Sequence, residues 1–232
     1  MKNIAENLKR INENIARAAQ KSGRTAGDVT LVAVTKTVGS QELLAALKTL
    51  REHGVCDFGE NRVQELVEKQ PLFDDKVNWH MIGHLQRNKV KNVVGRVAII
   101  HSIDSLRLAE EISRVAVQRQ VTADVLLEVN IAGEVSKHGI TPGEAAALAA
   151  QVMSLPNLAI KGLMTLAPFV DNPEENRGYF KKMANLLDDI KAVAPGADMP
   201  FLSMGMTNDY EVAVEEGANI VRIGTAIFGE RG

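Results

Sequence analysis

Cys56 is the only cysteine in 232 residues. That excludes an internal disulfide and a cysteine-based metal cluster, and it fits a reducing compartment. In a β-rich run it reads as a small apolar filler. Charge of one sign is also missing: 27 Lys+Arg stand against 29 Asp+Glu, with a pI near 6.2. No field of that size gathers phosphate backbones or acidic membranes, so neither nucleic acid nor a membrane is an expected partner. The chain opens Met1-Lys2-Asn3-Ile4-Ala5-Glu6 without an apolar signal core, and no stretch approaches about 18 uninterrupted apolar residues. A cytoplasmic protein is expected. Neither an HExxH motif nor a Cys/His spacing supports zinc, so no metal site is expected. Gly/Ser linkers, low-complexity tracts and breaks in composition are lacking too, which predicts one domain over residues 1–232.

What is present is alternation. Ile4, Leu8, Ile11, Ile15 and Ala18 line one face of an N-terminal helix. Short β-rich runs follow at 30–34, 55–58, 77–82, 98–103, 124–131, 159–166, 201–204 and 219–223, separated by helical patterns. Two helix starts are explicit, Thr141-Pro142-Gly143-Glu144 and Asn172-Pro173-Glu174-Glu175. Each offers a capping side chain, proline at the first helical position and a glutamate for the orphan amides. The helix after Pro173 sets Tyr179, Met183, Leu186, Ile190 and Val193 on one face. Alternating strands and helices demand parallel strands with right-handed crossovers. Eight repeats predict an α/β fold, a single (β/α)8 TIM-type barrel with an extra N-terminal helix, because closure removes both edges. A doubly wound open sheet is the runner-up.

Active sites of such barrels lie at the C-terminal ends of the strands. The first strand runs Leu31-Val32-Ala33-Val34-Thr35-Lys36, and alternation puts Val32, Val34 and Lys36 on one face. If that face is the interior, the Lys36 ammonium enters a partly desolvated mouth, and the lowered pKa suits an amine that traps carbonyls. The plain alternative is a lysine snorkelling to solvent. Phe58-Gly59-Glu60-Asn61 and His80 to His84 place an amide, a carboxylate and two imidazoles near the same rim. Glu128 shares a face with Leu126 and Asn130, and within a strand it needs a polar mouth or a cation. Lys137 follows in the next loop. Gly205 and Gly224 allow close backbone approach to an anion, and Ser203 and Thr225 add hydroxyls, a pattern that fits a phosphate cradle after strands seven and eight. Together with Lys36 this suggests a phosphorylated carbonyl ligand. It is either a sugar phosphate, as in a Schiff-base aldolase, or pyridoxal phosphate. Arg222 bears on the choice, because a cation beside a pyridine nitrogen keeps it unprotonated.

The motifs 31–36, 58–65, 79–89, 129–131, 161–164, 202–206 and 221–229 resemble, in order and spacing, those of the pyridoxal phosphate homeostasis protein family, which is related to the N-terminal barrel of alanine racemase. The resemblance covers almost the whole chain. It implies pyridoxal 5′-phosphate (PLP) as cofactor, held as an imine on Lys36. It further implies phosphate contacts from Ser203, Gly224 and Thr225, with Arg222 facing the pyridine nitrogen and Asn61 and His80 lining the site. Thr207-Asn208 departs from the family's Ser and variable residue, although the hydroxyl survives. The implied role is buffering, protecting or delivering PLP, with PLP-dependent apo-enzymes as partners and little or no catalysis. An amino-acid racemase is the alternative. A racemase of this lineage draws an opposing tyrosine base from a second domain, whereas this chain ends at Gly232 and has only Tyr179 and Tyr210. A monomer is expected.

Overall fold

The computed structural model describes residues 3–194 and 197–229. Strands β1 (Thr30–Val34), β2 (Asp57–Glu60), β3 (Asn78–Met81), β4 (Ile99–Ile103), β5 (Ala123–Glu128), β6 (Leu158–Met164), β7 (Phe201–Ser203) and β8 (Ile220–Ile223) pair in chain order, and β8 returns to β1 in a closed parallel barrel. The fold class expected from the alternating pattern is the one observed.

Pleating divides the core in two. Val32, Ile99, Leu126, Met164 and Ile220 pack inside the barrel, while the residues between them, such as Leu31, Ala33, Val125, Leu127, Val221 and Ile223, join the larger layer under the helices. Helix α1 (Ile4–Lys21) buries Leu8, Ile11, Ile15 and Ala18, the stripe expected of it. The helix after β8, Thr225–Phe228, is only four residues long. Accordingly α1 packs against that short helix, against α2 (Ser40–Glu52) and against Tyr210–Glu215, and covers the ground a full eighth crossover helix would take.

Several strand bounds differ from the sequence reading, two of them for a clear local reason, and one helix presents a different face. The second strand starts at Asp57, because the Val55 N–H still bonds the Leu50 carbonyl and finishes α2. The fifth ends at Glu128. Beyond it Asn130 staples its own loop, donating from Nδ2 to the Glu134 carbonyl at 2.8 Å and accepting the Glu134 N–H at 3.1 Å. On the helix Arg177–Val193 the buried stripe is Phe180, Met183, Leu187 and Ile190. It is rotated from the expected face, Tyr179 and Leu186 flank it, and Val193 is exposed in the last turn. The Thr141 start is capped as anticipated, with the Thr141 N–H and hydroxyl both donating to Glu144 Oε2 at 2.9 and 2.6 Å.

Candidate functional site

At the C-terminal end of the barrel a cavity of about 560 Å³ is lined by Val34, Lys36, Thr37, Pro168, Phe169, Met206, Thr207, Asn208, Asp209, Arg222, Gly224, Thr225 and Gly229. Val32 is inside the barrel, while Val34 and Lys36 face the cavity, so the alternation along the first strand runs as expected. Lys36 is exposed at the mouth rather than sunk in it. The stem of β1 lies beside β8 with Val32 opposite Arg222, so lysine and arginine reach one cavity from neighbouring strands.

The chain is gripped on both sides of Lys36. From α3 (Val63–Lys69) the Lys69 ammonium donates to the Thr35 carbonyl at 2.8 Å, and the Glu65 carboxylate accepts the Thr37 N–H at 2.8 Å. Lys69 and Glu65 are themselves paired at 3.1 Å, and Lys69 also bonds the fully buried Glu60 at 2.7 Å. Burial pushes the Glu60 carboxyl up against the pull of Lys69 and of the Thr35 hydroxyl. Burial works the same way on Glu65, but there the Thr37 amide and Lys69 prevail and hold it below the usual carboxylate range. Thr37 carries φ 61°, a left-handed conformation that strains a β-branched residue. Glu60 therefore belongs to the support behind the lysine, on the outer face of β2, and not to the rim.

Arg222 is 3% exposed. It donates through one terminal nitrogen to Ser203 Oγ and through the other to the Thr165 carbonyl at 2.8 Å. Burial draws its pKa down to about 10 against the pull of Glu128 and Asp209, so the guanidinium stays charged at neutral pH. Behind it a buried chain crosses the barrel. Ser203 Oγ lies 3.0 Å from His101 Nδ1, His101 Nε2 lies 2.9 Å from His80 Nδ1, and His80 Nε2 lies 2.9 Å from Asp57 Oδ1. Burial first, then the neighbouring His80 and the Arg222 guanidinium, holds the His101 pKa well below its ordinary value, so that ring is neutral. One proton arrangement satisfies every partner without a further buried charge. Arg222 donates to Ser203, Ser203 to His101, His101 to His80, and His80 to the Asp57 carboxylate.

Glu128 is also buried. Desolvation, reinforced by Asp104 and opposed by Arg222, raises its carboxyl to about 7, and its Oε2 has no hydrogen-bond partner.

Of the residues anticipated from sequence, Lys36, Arg222, Gly224 and Thr225 share the cavity wall. Ser203 and His80 lie beneath it, in the chain behind Arg222, and Asn61 stands half-buried just past the end of β2, outside the lining set. His80 and His84 do not share a rim, for His80 is in the interior whereas His84 is exposed. Gly205, at φ 90°, is needed for packing: a Cβ there would come within 2.6 Å of the Ala213 Cβ. At Gly224 a Cβ would meet the Val34 carbonyl at 3.2 Å, so this glycine lets β8 close on β1. The hydroxyl of Thr207 faces the same cavity and accepts the Ala226 N–H at 3.4 Å. Tyr210 donates its side chain to neither wall nor mouth; its hydroxyl oxygen accepts from Asn14 at 2.9 Å. Thr207, noted in the sequence only as a departure that keeps the hydroxyl, joins the cavity wall, whereas Asp209, Phe169, Lys69 and His101 were not anticipated.

The architecture is that of the alanine racemase N-terminal domain class, whose family model matches residues 7–232. An alanine racemase of Clostridium difficile shares the fold at a TM-score of 0.73 and 19% identity, with 97% of this chain covering 57% of that one. A pyridoxal phosphate homeostasis protein of Aquifex aeolicus is 43% identical over 230 residues, 99% of each chain. PipY of Synechococcus elongatus, solved with PLP bound, superposes with a TM-score of 0.82 at 32% identity, covering 97% of this chain and 100% of that one. The chain belongs to the pyridoxal phosphate homeostasis protein family.

Proposed function

We propose that this protein holds PLP in the barrel mouth and serves intracellular PLP homeostasis, by buffering, protecting or delivering the cofactor. The observation that carries this reading is the convergence of Lys36, Arg222, Gly224 and Thr225 on one cavity of about 560 Å³. The donor set suits the group: an amine for an aldehyde, a buried cation for a ring nitrogen, and hydroxyl and glycine backbone for a phosphate. Bound PLP would supply an aldehyde and an electron-withdrawing ring. Lys36 would hold the cofactor through its aldehyde, and the flanking grip of Lys69 and Glu65 fixes the chain from which the lysine reaches. Arg222, already charged and oriented by Ser203 and Thr165, would be the residue to meet the ring nitrogen, and a cation there would keep that nitrogen unprotonated and weaken the ring as an electron sink. Thr207 and Thr225 offer hydroxyls to the phosphate. Asn61 borders the mouth; His80 and Ser203 act through Arg222.

A protein with one amine and a muted ring suits storage and transfer better than proton exchange at Cα, which needs an acid or base on each face. We take the protein to act as a cytoplasmic monomer with PLP-dependent apo-enzymes as recipients; the lone cysteine and the lack, among the described residues, of a helix long and apolar enough to cross a membrane support that setting. The test has two parts. Protein mixed with PLP develops an imine absorption band that Lys36→Ala abolishes; a colourless mixture sinks the reading. Loaded protein then activates an apo-enzyme faster than free PLP does, and equal rates leave storage without delivery. Washout of α-deuterium from amino acids at enzymatic turnover would replace the carrier by a racemase.

A further inference from the structure

Across the mouth from Lys36, the loops after β3, β4 and β5 bring together three ligating side chains from distant parts of the sequence. His84, Asp104 and His138 each offer one atom, and these atoms lie within 4.8 Å of one another. The His84 and His138 rings are stacked, with centroids 4.1 Å apart and planes 12° from parallel. His84 Nδ1 is 3.3 Å from Asp104 Oδ2. In a tetrahedral zinc centre with bonds near 2.0–2.1 Å, neighbouring ligand atoms stand roughly 3.3 Å apart, so one ligand pair already has the required spacing.

The carboxylate is also prepared for single-oxygen ligation. Asp104 Oδ1 accepts the Ser105 hydroxyl at 3.2 Å, which leaves Oδ2 turned to His84. Ser105 in turn caps the following helix by accepting the Leu108 N–H at 3.4 Å, tying the ligand to a rigid element. Because the rings stack nearly parallel, at least one must turn out of the stack for both in-plane lone pairs to meet one ion; both histidines are exposed, which leaves room for that turn and for a solvent position.

We propose that His84, Asp104 and His138 form a binding site for one divalent transition metal ion, Zn2+ being the best match. Two imidazoles and a carboxylate select borderline cations over Mg2+ or Ca2+, which prefer all-oxygen shells. The ion takes the three side chains and keeps water in its fourth position. The site is independent of the PLP reading: its ligands come from the β3 to β5 side, and none of them lines the cavity that holds Lys36 and Arg222.

Calorimetric titration of the whole protein with ZnCl2 near neutral pH, in a non-chelating buffer, tests this. One equivalent binds saturably, and His84→Ala and His138→Ala each weaken binding about tenfold or more, while His53→Ala, at a half-buried histidine elsewhere, leaves it unchanged. Cobalt(II) added in place of zinc gives visible ligand-field bands that both His84→Ala and His138→Ala abolish. Melting curves without metal keep the variants honest, since an exposed histidine can be truncated without loss of fold. Absence of saturable zinc binding overturns the proposal, and so does binding that survives both rim substitutions or is lost in His53→Ala.

Discussion

The Lys69 ammonium donates to the carbonyl oxygen of Thr35 at 2.8 Å, one residue before Lys36. With Glu60 and Glu65 as its other partners, all three ammonium protons are engaged at a position only 4% exposed. Lys69→Met strands the buried Glu60 carboxylate and costs about 3–5 kcal/mol in urea denaturation. The double variant with Glu60→Gln recovers part of that loss. A double variant no more stable than Lys69→Met would show that Glu60 is not the group left uncompensated.

Thr37 tests the other half of the grip. Thr37→Gly relieves about 1 kcal/mol of left-handed strain and raises the melting temperature. Because the Thr37 N–H and its Glu65 partner then hold a looser chain, the proposed PLP complex forms with weaker affinity, read from absorbance titration. A variant that is both more stable and tighter binding would contradict a positioning role for this strain.

His101 joins Ser203 to His80 inside the barrel. His101→Phe keeps a ring of similar shape and leaves both partners short of a hydrogen bond, a loss of about 2–4 kcal/mol. Arg222 loses the acceptor alignment of Ser203, so the absorption maximum of added PLP shifts. An unshifted spectrum would confine the chain to a packing role.

Glu128 sets a pH dependence. Its folded pKa of about 7 lies above the ordinary 4.5, so the folded state holds the proton more tightly than the unfolded one. Stability is therefore greatest below the unfolded value and falls as pH rises from there through about 7, by about 3 kcal/mol at most. Glu128→Gln flattens that stretch of the stability–pH curve, as measured by denaturation across the window.

The strand count, the closed topology and the inward set Val32, Val34 and Lys36 were all legible, because a period of two written in apolar residues needs no tertiary knowledge. Polar residues at strand ends carried no such sign of direction. Glu60 was grouped with the rim although it shares the outward face of Phe58, and its partner Lys69 was invisible until α3 folded over it. A hint existed, since Lys69 sits three residues after Leu66 and six after Val63, on the helix's apolar face. His101 left a similar trace, two residues beyond the inward-facing Ile99 in an apolar strand. The rim group His84, Asp104 and His138 had none, because three separate loops supply it.

Lys36 follows the first strand and Arg222 belongs to the last, and the two meet only where β8 returns to β1. A nascent chain emerging from the ribosome carries its lysine for nearly the whole of synthesis before the arginine exists. The seat is thus complete only once the last strand has docked on the first, and any ligand gripped by both residues fastens that joint. Ligand-dependent protection from hydrogen exchange should accordingly be strongest along that joint, far above the protection gained by β4 on the opposite wall.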